Sequence, residues 1–171
     1  KSLLLTRVAS ALGLACRHYN ASLLNFDDLV GFPVPGKDGQ LEYVKTPAAI
    51  WGAGAVIFDE VSRCRPDVQN KLFPIIHERK VQGIALEGLR YRWAAMNPPA
   101  TDDHDNGYLG SEPLDTALAD RFAFVVEMPA WAALSDDEQL AIITADDAPI
   151  TPAQANCLAD ALARTRACLP L

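Results

Sequence analysis

GAVIFDE, at residues 54–60, is the most informative stretch of the chain. Its apolar run shows no polar alternation, which is typical of a short parallel strand that is covered on both faces. The run stops abruptly at two acidic residues, Asp59 and Glu60. In open α/β sheets ligands bind beyond the carboxyl ends of the strands, so this acidic pair is the first candidate for a functional site.

Strand and helix signals alternate on either side of this run. The sequence predicts strands at residues 21–26, 91–96 and 122–128, and helices at the start of the chain and at residues 66–81, 114–120, 136–144 and 152–168. Turn formers at 31–39 predict a loop or hairpin, and polar residues at 101–111 predict a loop. Pro74 is expected to bend or interrupt its helix. The alternation implies a mostly parallel sheet with helices on its faces.

Composition narrows the class of protein. The chain has 171 residues, of which 50% are hydrophobic and 22% charged, enough for one domain with a sizeable core. A net charge of −7 makes nucleic acid an unlikely partner. The four cysteines lie far apart without a C-x-x-C pair, so we expect neither a zinc site nor a disulfide framework, and a cytoplasmic location fits best. No segment approaches the length of a transmembrane helix.

Carboxylates and an amide at predicted strand ends suggest phosphate chemistry. Of Asp59 and Glu60, one can hold the hydration shell of Mg²⁺ while the other orients or deprotonates an attacking water. The alternative is a helix N-terminus that favours acids electrostatically. Asn97 follows the strand predicted at 91–96, and its amide can fix a water against a phosphate oxygen; an Asn before Pro is otherwise a turn former.

Lys1 and Ser2 directly precede the first apolar helix. A phosphate-binding loop has the form G-x-x-x-x-G-K-S/T, in which the lysine pairs with the outer phosphates and the hydroxyl ligates Mg²⁺. Lys1 and Ser2 match its last two positions. We therefore expect the glycine-rich part of such a loop to lie upstream of the first residue.

The chain carries, in this order, KS at 1–2, AVIFDE at 55–60, WAAMNPP at 93–99 and LDTALADRF at 114–122, and this set resembles the AAA+ ATPases. The sequence between these motifs narrows the resemblance to the MoxR-like branch. FDEVSRCRPDVQNKLFPIIHERKVQGIAL resembles that family's Walker B strand and following helix. DDLVGFPVPGKDGQLEYVKTPAAIW is similar to the segment that carries the branch's extra insertion before Walker B. The resemblance implies an α/β, P-loop NTPase-type three-layer core at 1–130, with a mostly parallel sheet, then a linker and the beginning of a helical lid at 131–171.

The resemblance also implies the cofactors ATP and Mg²⁺ and a set of site residues. Lys1 would contact the β- and γ-phosphates, and Ser2 and Asp59 would hold the metal. Glu60 would polarise the water, and Asn97 would be the first sensor.

Basic residues complete the implied site. Arg121 matches the arginine finger that reaches into a neighbouring subunit's nucleotide, with an ion pair to Asp120 or Asp115 as the local alternative. Arg63 lies where the branch often has a basic residue, although a structural role on its helix is equally open. Arg164 and Arg166 are nominal candidates for a second sensor.

The implied function is an ATP-hydrolysing subunit of a homo-oligomeric, hexameric ring. Such a ring would remodel or assemble protein clients in a chaperone-like manner, with a von Willebrand factor A domain protein as a possible partner. One alternative is a catalytically incomplete scaffold or fragment, and another is a GTP-driven motor of the restriction type. ATPase activity is expected of a full-length parent and stays open for this chain alone.

Overall fold

The computed structural model describes residues 1–97, 114–144, 156–157 and 160. The helices are α1 (Ser2–Ala11), α2 (Phe26–Val30), α3 (Pro66–Glu78), α4 (Thr116–Ala119) and α5 (Asp136–Ile143). The strands are β1 (Cys16–Asn20), β2 (Phe32–Pro35), β3 (Leu41–Val44), β4 (Ala55–Asp59), β5 (Lys80–Val81), β6 (Ile84–Ala85) and β7 (Tyr91–Ala94). Short 3₁₀ turns lie at Val61–Arg63 and Trp131–Ala133. Over these described ranges, no helix has both the length and the apolar character needed to cross a bilayer.

A parallel sheet of three strands forms the centre, with β4 between β1 and β7. In its register Asn20 of β1 pairs with Asp59 of β4, and Ala94 of β7 pairs with Phe58. Because all three strands run in the same direction, their carboxyl ends meet at one edge of the sheet. The predicted parallel sheet is confirmed, and Asp59 lies at the end of its middle strand.

Helices cover both faces of β4, which explains its uninterrupted apolar sequence. Successive side chains of a strand point to opposite faces. Val56 and Phe58 share a buried core with Leu72 of α3. Ala55 and Ile57 point to the other face and are equally buried. Helix α1 also contacts β4. Each such large apolar side chain contributes roughly 1.5–3 kcal/mol when it is fully buried. The predicted layered α/β architecture is thereby confirmed.

The long helix α3 is continuous, so Pro74 does not interrupt it, and the alternative of a bend at Pro74 stays a prediction. Pro66 occupies the first turn, where its fixed φ suits a helix and its missing N–H costs nothing. Pro74 removes one hydrogen bond inside the helix, at a cost of about 3 kcal/mol. Burial of Leu72, Ile75 and Ile76 along the same face outweighs that loss.

The strand predicted at 21–26 is wrong, because β1 ends at Asn20 and the chain then turns into α2. The main-chain N–H of Ala21 still donates to the carbonyl of Asp59, at 2.8 Å. The Asp28 carboxylate accepts a hydrogen bond from the N–H of Asn25 at 3.2 Å, half of a capping box that begins a helix at Phe26.

The strand predicted at 122–128 is also absent from the described structure. Phe124, Val125 and Val126 are exposed, and no described strand pairs with them. The predicted loop or hairpin at 31–39 is the antiparallel pair β2–β3, and a second small hairpin joins β5 to β6. The helices predicted at 114–120 and 136–144 are the shorter α4 and α5. The loop predicted at 101–111 and most of the helix predicted at 152–168 lie outside the described residues.

Candidate functional site

The carboxyl edge of the sheet gathers the predicted site residues other than Arg121. Asp59 ends β4 and Glu60 follows it, while Asn97 comes shortly after β7. Helix α1 begins at Ser2, with Lys1 as its N-terminal cap residue. Side-chain hydrogen bonds link the start of α1 to both of these strand ends.

Ser2 and Asp59 form the first of these links. The Ser2 hydroxyl donates to Asp59 Oδ2 at 2.5 Å, and the Glu60 N–H donates to Asp59 Oδ1 at 3.0 Å. His18 Nε2 lies 3.4 Å from Asp59 Oδ2. Burial alone raises the pKa of Asp59, but the hydrogen bonds from Ser2, Glu60 and His18 prevail and hold it below its ordinary value. Asp59 is therefore a carboxylate at neutral pH.

Lys1 and Asn97 form the second link. Lys1 Nζ donates to Asn97 Oδ1 at 2.5 Å and to the carbonyl oxygen of Met96 at 2.6 Å. An ammonium group has three donors, so one remains for a further acceptor beyond these two contacts. A lysine cation and a side-chain amide thus lie side by side at the edge where Asp59 ends its strand.

Glu60 has an uncommon backbone conformation, with φ 54° and ψ 39° in the left-handed region. A residue with a Cβ pays about 1–2 kcal/mol for this conformation. Strain of this kind concentrates at functional sites, where the surrounding structure holds it in place. Arg63 Nε lies 3.3 Å from Glu60 Oε2, close enough for an ion pair.

Arg121 makes its contacts with residues outside this cluster. Its Nη1 donates to the Ala117 carbonyl, and its guanidinium carbon lies 4.6 Å from the centre of the Phe73 ring. Among the described residues Arg121 forms the local ion pair with neither Asp120 nor Asp115. The Asp115 carboxylate instead caps α4 by accepting a hydrogen bond from the Ala117 N–H at 2.8 Å. Arg164 and Arg166 lie outside the described residues.

His18 is the site residue that the sequence analysis missed. Its only signal is position: on β1 it pairs in register with Ile57, which places it beside the end of β4. That placement requires β1 at Cys16–Asn20, whereas the sequence predicted the strand five residues later, at 21–26.

The donor atoms at this edge suit Mg²⁺, a metal that takes one or two protein oxygens and completes its shell with water and phosphate. The Ser2 hydroxyl and the Asp59 carboxylate are hard oxygen ligands already within 2.5 Å of each other. Within the described part of the chain, no group of three or more His, Cys, Asp or Glu side chains could form a protein-only metal cage. The Ser2 hydroxyl and the Asp59 carboxylate therefore have the chemistry to hold a magnesium ion.

A parallel α/β sheet that brings a Lys-Ser helix start and an acidic strand end together belongs to the P-loop nucleoside triphosphatase class. The profile of the AAA domain (dynein-related subfamily) matches residues 1–122, and the chain belongs to this family. The resemblance to the AAA+ ATPases is thereby confirmed.

Comparison with the solved structure of an ATPase supports the fold. No curated protein matches the chain. Among solved structures, the chain is similar to a provisionally assigned ATPase from Cytophaga hutchinsonii, with a TM-score of 0.60 and 21% identity, covering 89% of this chain and 44% of that one. It is also similar to NtrX from Brucella abortus, with a TM-score of 0.48 and 19% identity, covering 92% of this chain and 38% of that one. The chain thus spans less than half the length of either structure.

Proposed function

We propose that the polypeptide carrying this chain hydrolyses ATP as a MoxR-type AAA+ ring subunit that remodels or assembles protein clients. The observation that carries the proposal is the convergence of Ser2 with Asp59 and of Lys1 with Asn97. These pairs are 57 and 96 residues apart in sequence and yet are joined by direct side-chain hydrogen bonds at one edge of the sheet. Membership of the AAA family supports ATP as the ligand of that edge.

In this proposal Lys1 binds the β- and γ-phosphates, and Ser2 and Asp59 hold Mg²⁺. The metal, when bound, neutralises charge on the phosphate oxygens. Lys1 exchanges its contact with Asn97 Oδ1 for phosphate oxygens, and Asn97 Oδ1 then accepts a hydrogen bond from the attacking water. Glu60 accepts a hydrogen bond from that water and aims it at the γ-phosphate.

Arg121 is proposed to act on the nucleotide of a neighbouring subunit, which requires a homo-oligomeric ring, here a hexamer. The exposed position of Arg121 supports this role. A cation–π contact at an exposed site is worth about 0.5–1 kcal/mol, so the contact with Phe73 is easily exchanged for a phosphate. Residues 1–130 form the nucleotide-binding core in this proposal, and 131–171 form a linker and the beginning of the helical lid.

The test is steady-state ATP hydrolysis by the complete natural polypeptide that carries this sequence, over a range of protein concentrations. We expect activity per subunit to rise with assembly, and both Glu60→Gln and Arg121→Ala to lower it by about 10³-fold or more. Glu60→Gln should still bind ATP, because the residues proposed to hold the nucleotide are unchanged. Arg65→Ala is the matched control, because it alters an exposed arginine that lies just before α3 in the sequence.

Mixing the two inactive variants tests whether Arg121 acts between subunits. An Arg121→Ala subunit keeps Glu60, and a neighbouring Glu60→Gln subunit keeps Arg121, so mixed rings should regain a measurable fraction of activity. No recovery in well-mixed rings would contradict a finger that acts in trans. Absence of nucleotide binding by the unaltered protein would favour the catalytically incomplete scaffold instead.

Two further measurements address the nucleotide preference and the partner. Competition of GTP against ATP separates the proposed ATPase from a GTP-driven restriction-type motor. Nucleic acid remains the less favoured partner because the net charge is −7. A von Willebrand factor A domain protein is the proposed partner, and its retention by the ATP-bound Glu60→Gln ring but not by the nucleotide-free ring would support that assignment. The proposed location is cytoplasmic, since the widely spaced cysteines need no oxidising compartment.

A further inference from the structure

Two bonds join Glu60 to Arg63 across a single 3₁₀ turn. The Arg63 N–H donates to the Glu60 carbonyl at 2.9 Å, and Arg63 Nε lies 3.3 Å from Glu60 Oε2. Val61 and Ser62 between them are buried, and the Val61 N–H donates to the Ala95 carbonyl beyond β7 at 3.2 Å. The turn is therefore anchored to the sheet, and it holds the backbone and the side chain of Glu60 together.

The environment of Glu60 Oε2 distinguishes this pair from an ordinary surface ion pair. The oxygen is buried and has no hydrogen-bond partner among the described residues. A buried carboxylate oxygen requires compensation, and the guanidinium of Arg63 is the charge placed to supply it.

A pair two residues further along shows the contrast. Arg65 lies 3.6 Å from Asp67, and both side chains are about 60% exposed. The side chain of Glu60 is only 33% exposed and that of Arg63 41%. The Arg65 pair therefore has the character of a solvated contact, whereas the Arg63 pair has one oxygen shut away from water.

The two oxygens of Glu60 thus have different surroundings. Oε2 faces Arg63, while Oε1 has no recorded hydrogen bond in the described part of the chain. The left-handed backbone of Glu60 sets the direction in which its side chain leaves the main chain, and the ion pair limits its remaining rotation. A carboxylate held through one oxygen presents the other in a fixed direction.

We infer that Arg63 is a positioning residue, which holds Glu60 through Oε2 so that Oε1 is presented to the attacking water. This inference rests on the proposed function, in which Glu60 orients that water. Arg63 takes no part in the contacts that join Ser2 to Asp59 and Lys1 to Asn97. Its loss should therefore slow the chemical step and leave nucleotide binding intact.

The experiment compares Arg63→Ala, Arg63→Lys and the control Arg65→Ala in the complete natural polypeptide, with kcat and KM from steady-state ATP hydrolysis and affinity from a fluorescent ATP analogue. We expect Arg63→Ala to lower kcat by about 10- to 100-fold, the scale of a misplaced catalytic group, with KM and affinity within about twofold. Arg63→Lys keeps the charge and should recover part of kcat. Arg65→Ala should match the unaltered protein.

A double variant shows whether Arg63 acts through Glu60. In a Glu60→Gln background, Arg63→Ala should cause no further loss, because residues that act as a unit are non-additive. Equal factors in both backgrounds, or full kcat in Arg63→Ala, would overturn the inference. If Arg63→Ala fails to assemble, Arg63→Gln takes its place, because it removes the charge and keeps most of the side-chain length; unchanged kcat in Arg63→Gln would overturn the inference.

The proposed function fails separately. Normal hydrolysis by Glu60→Gln would remove the catalytic role of Glu60, and the inference with it. An inactive Glu60→Gln beside a fully active Arg63→Ala would remove the inference alone.

Discussion

Gly31→Ala should destabilise this protein far more than an ordinary glycine substitution in a turn. Gly31 joins α2 to β2 with φ 92° and ψ 179°, a region that residues other than glycine rarely adopt. An added Cβ would lie well inside contact distance of the Val44 carbonyl oxygen, 3.0 Å from its carbon and 3.3 Å from the Lys45 Cα. All three atoms belong to the backbone at the end of β3, so no side chain can move aside.

The expected cost follows from two effects. The backbone conformation costs about 1–3 kcal/mol for a residue with a Cβ. Displacing the end of β3 adds roughly the 1–3 kcal/mol typical of overpacking. A gain of about 0.4–1 kcal/mol from the stiffer unfolded chain offsets part of this. The net loss is about 3 kcal/mol, which is a large share of the 5–15 kcal/mol typical of a domain.

Gly39→Ala is the matched control, since Gly39 lies in the same hairpin with φ 73° and nothing within 4 Å of an added Cβ. Its expected cost is about 1 kcal/mol, the left-handed backbone alone. Urea unfolding of both variants, followed by circular dichroism, measures the difference. Equal losses, within about 0.5 kcal/mol, would refute the steric account of Gly31.

Other side chains give further predictions. Burial raises the pKa of the Cys64 thiol to about 11, so in the folded protein iodoacetamide at pH 8 should label exposed Cys157 and spare Cys64, as peptide mass spectrometry would show. The folded state holds this proton more tightly than the unfolded chain, so the stability it contributes is complete below about pH 9 and declines as the pH rises to about 11; a pH series of urea midpoints would test this. Leu72→Ala, at a fully buried site, should cost about 2–5 kcal/mol in urea unfolding. Trp51→Phe leaves the Val30 carbonyl without its 2.6 Å donor and should cost about 1–3 kcal/mol by the same measurement.

The sequence predicts the centre of the sheet better than its margins. β4 is apolar from Ala55 to Phe58 because helices cover both of its faces, so its burial can be predicted from its composition. β1 carries the polar residues Arg17, His18 and Asn20, so its sequence does not have the apolar pattern of a buried strand. The more apolar segment that follows it is predicted as the strand instead. The prediction at 122–128 fails for another reason: strand propensity is local, whereas pairing depends on a neighbour that the segment itself cannot specify.

The candidate site divides in a similar way. Motif spacing nominates Asp59, Glu60 and Asn97, because residue type and position after an apolar run are visible in the sequence. Their hydrogen bonds are not visible, since they depend on rotamers and on register between distant segments. The contact of Arg121 with Phe73 belongs to this second kind, because nothing local to either residue points to the other.

The left-handed backbone at Glu60 has a consequence for anyone who improves this protein by selection. A glycine or an asparagine tolerates that conformation better than glutamate does, so Glu60→Gly and Glu60→Asn are natural hits in a search for heat-resistant variants. Under the proposed function both hits would be inactive. At position 60, selection for thermal stability and selection for ATPase activity would therefore favour different residues.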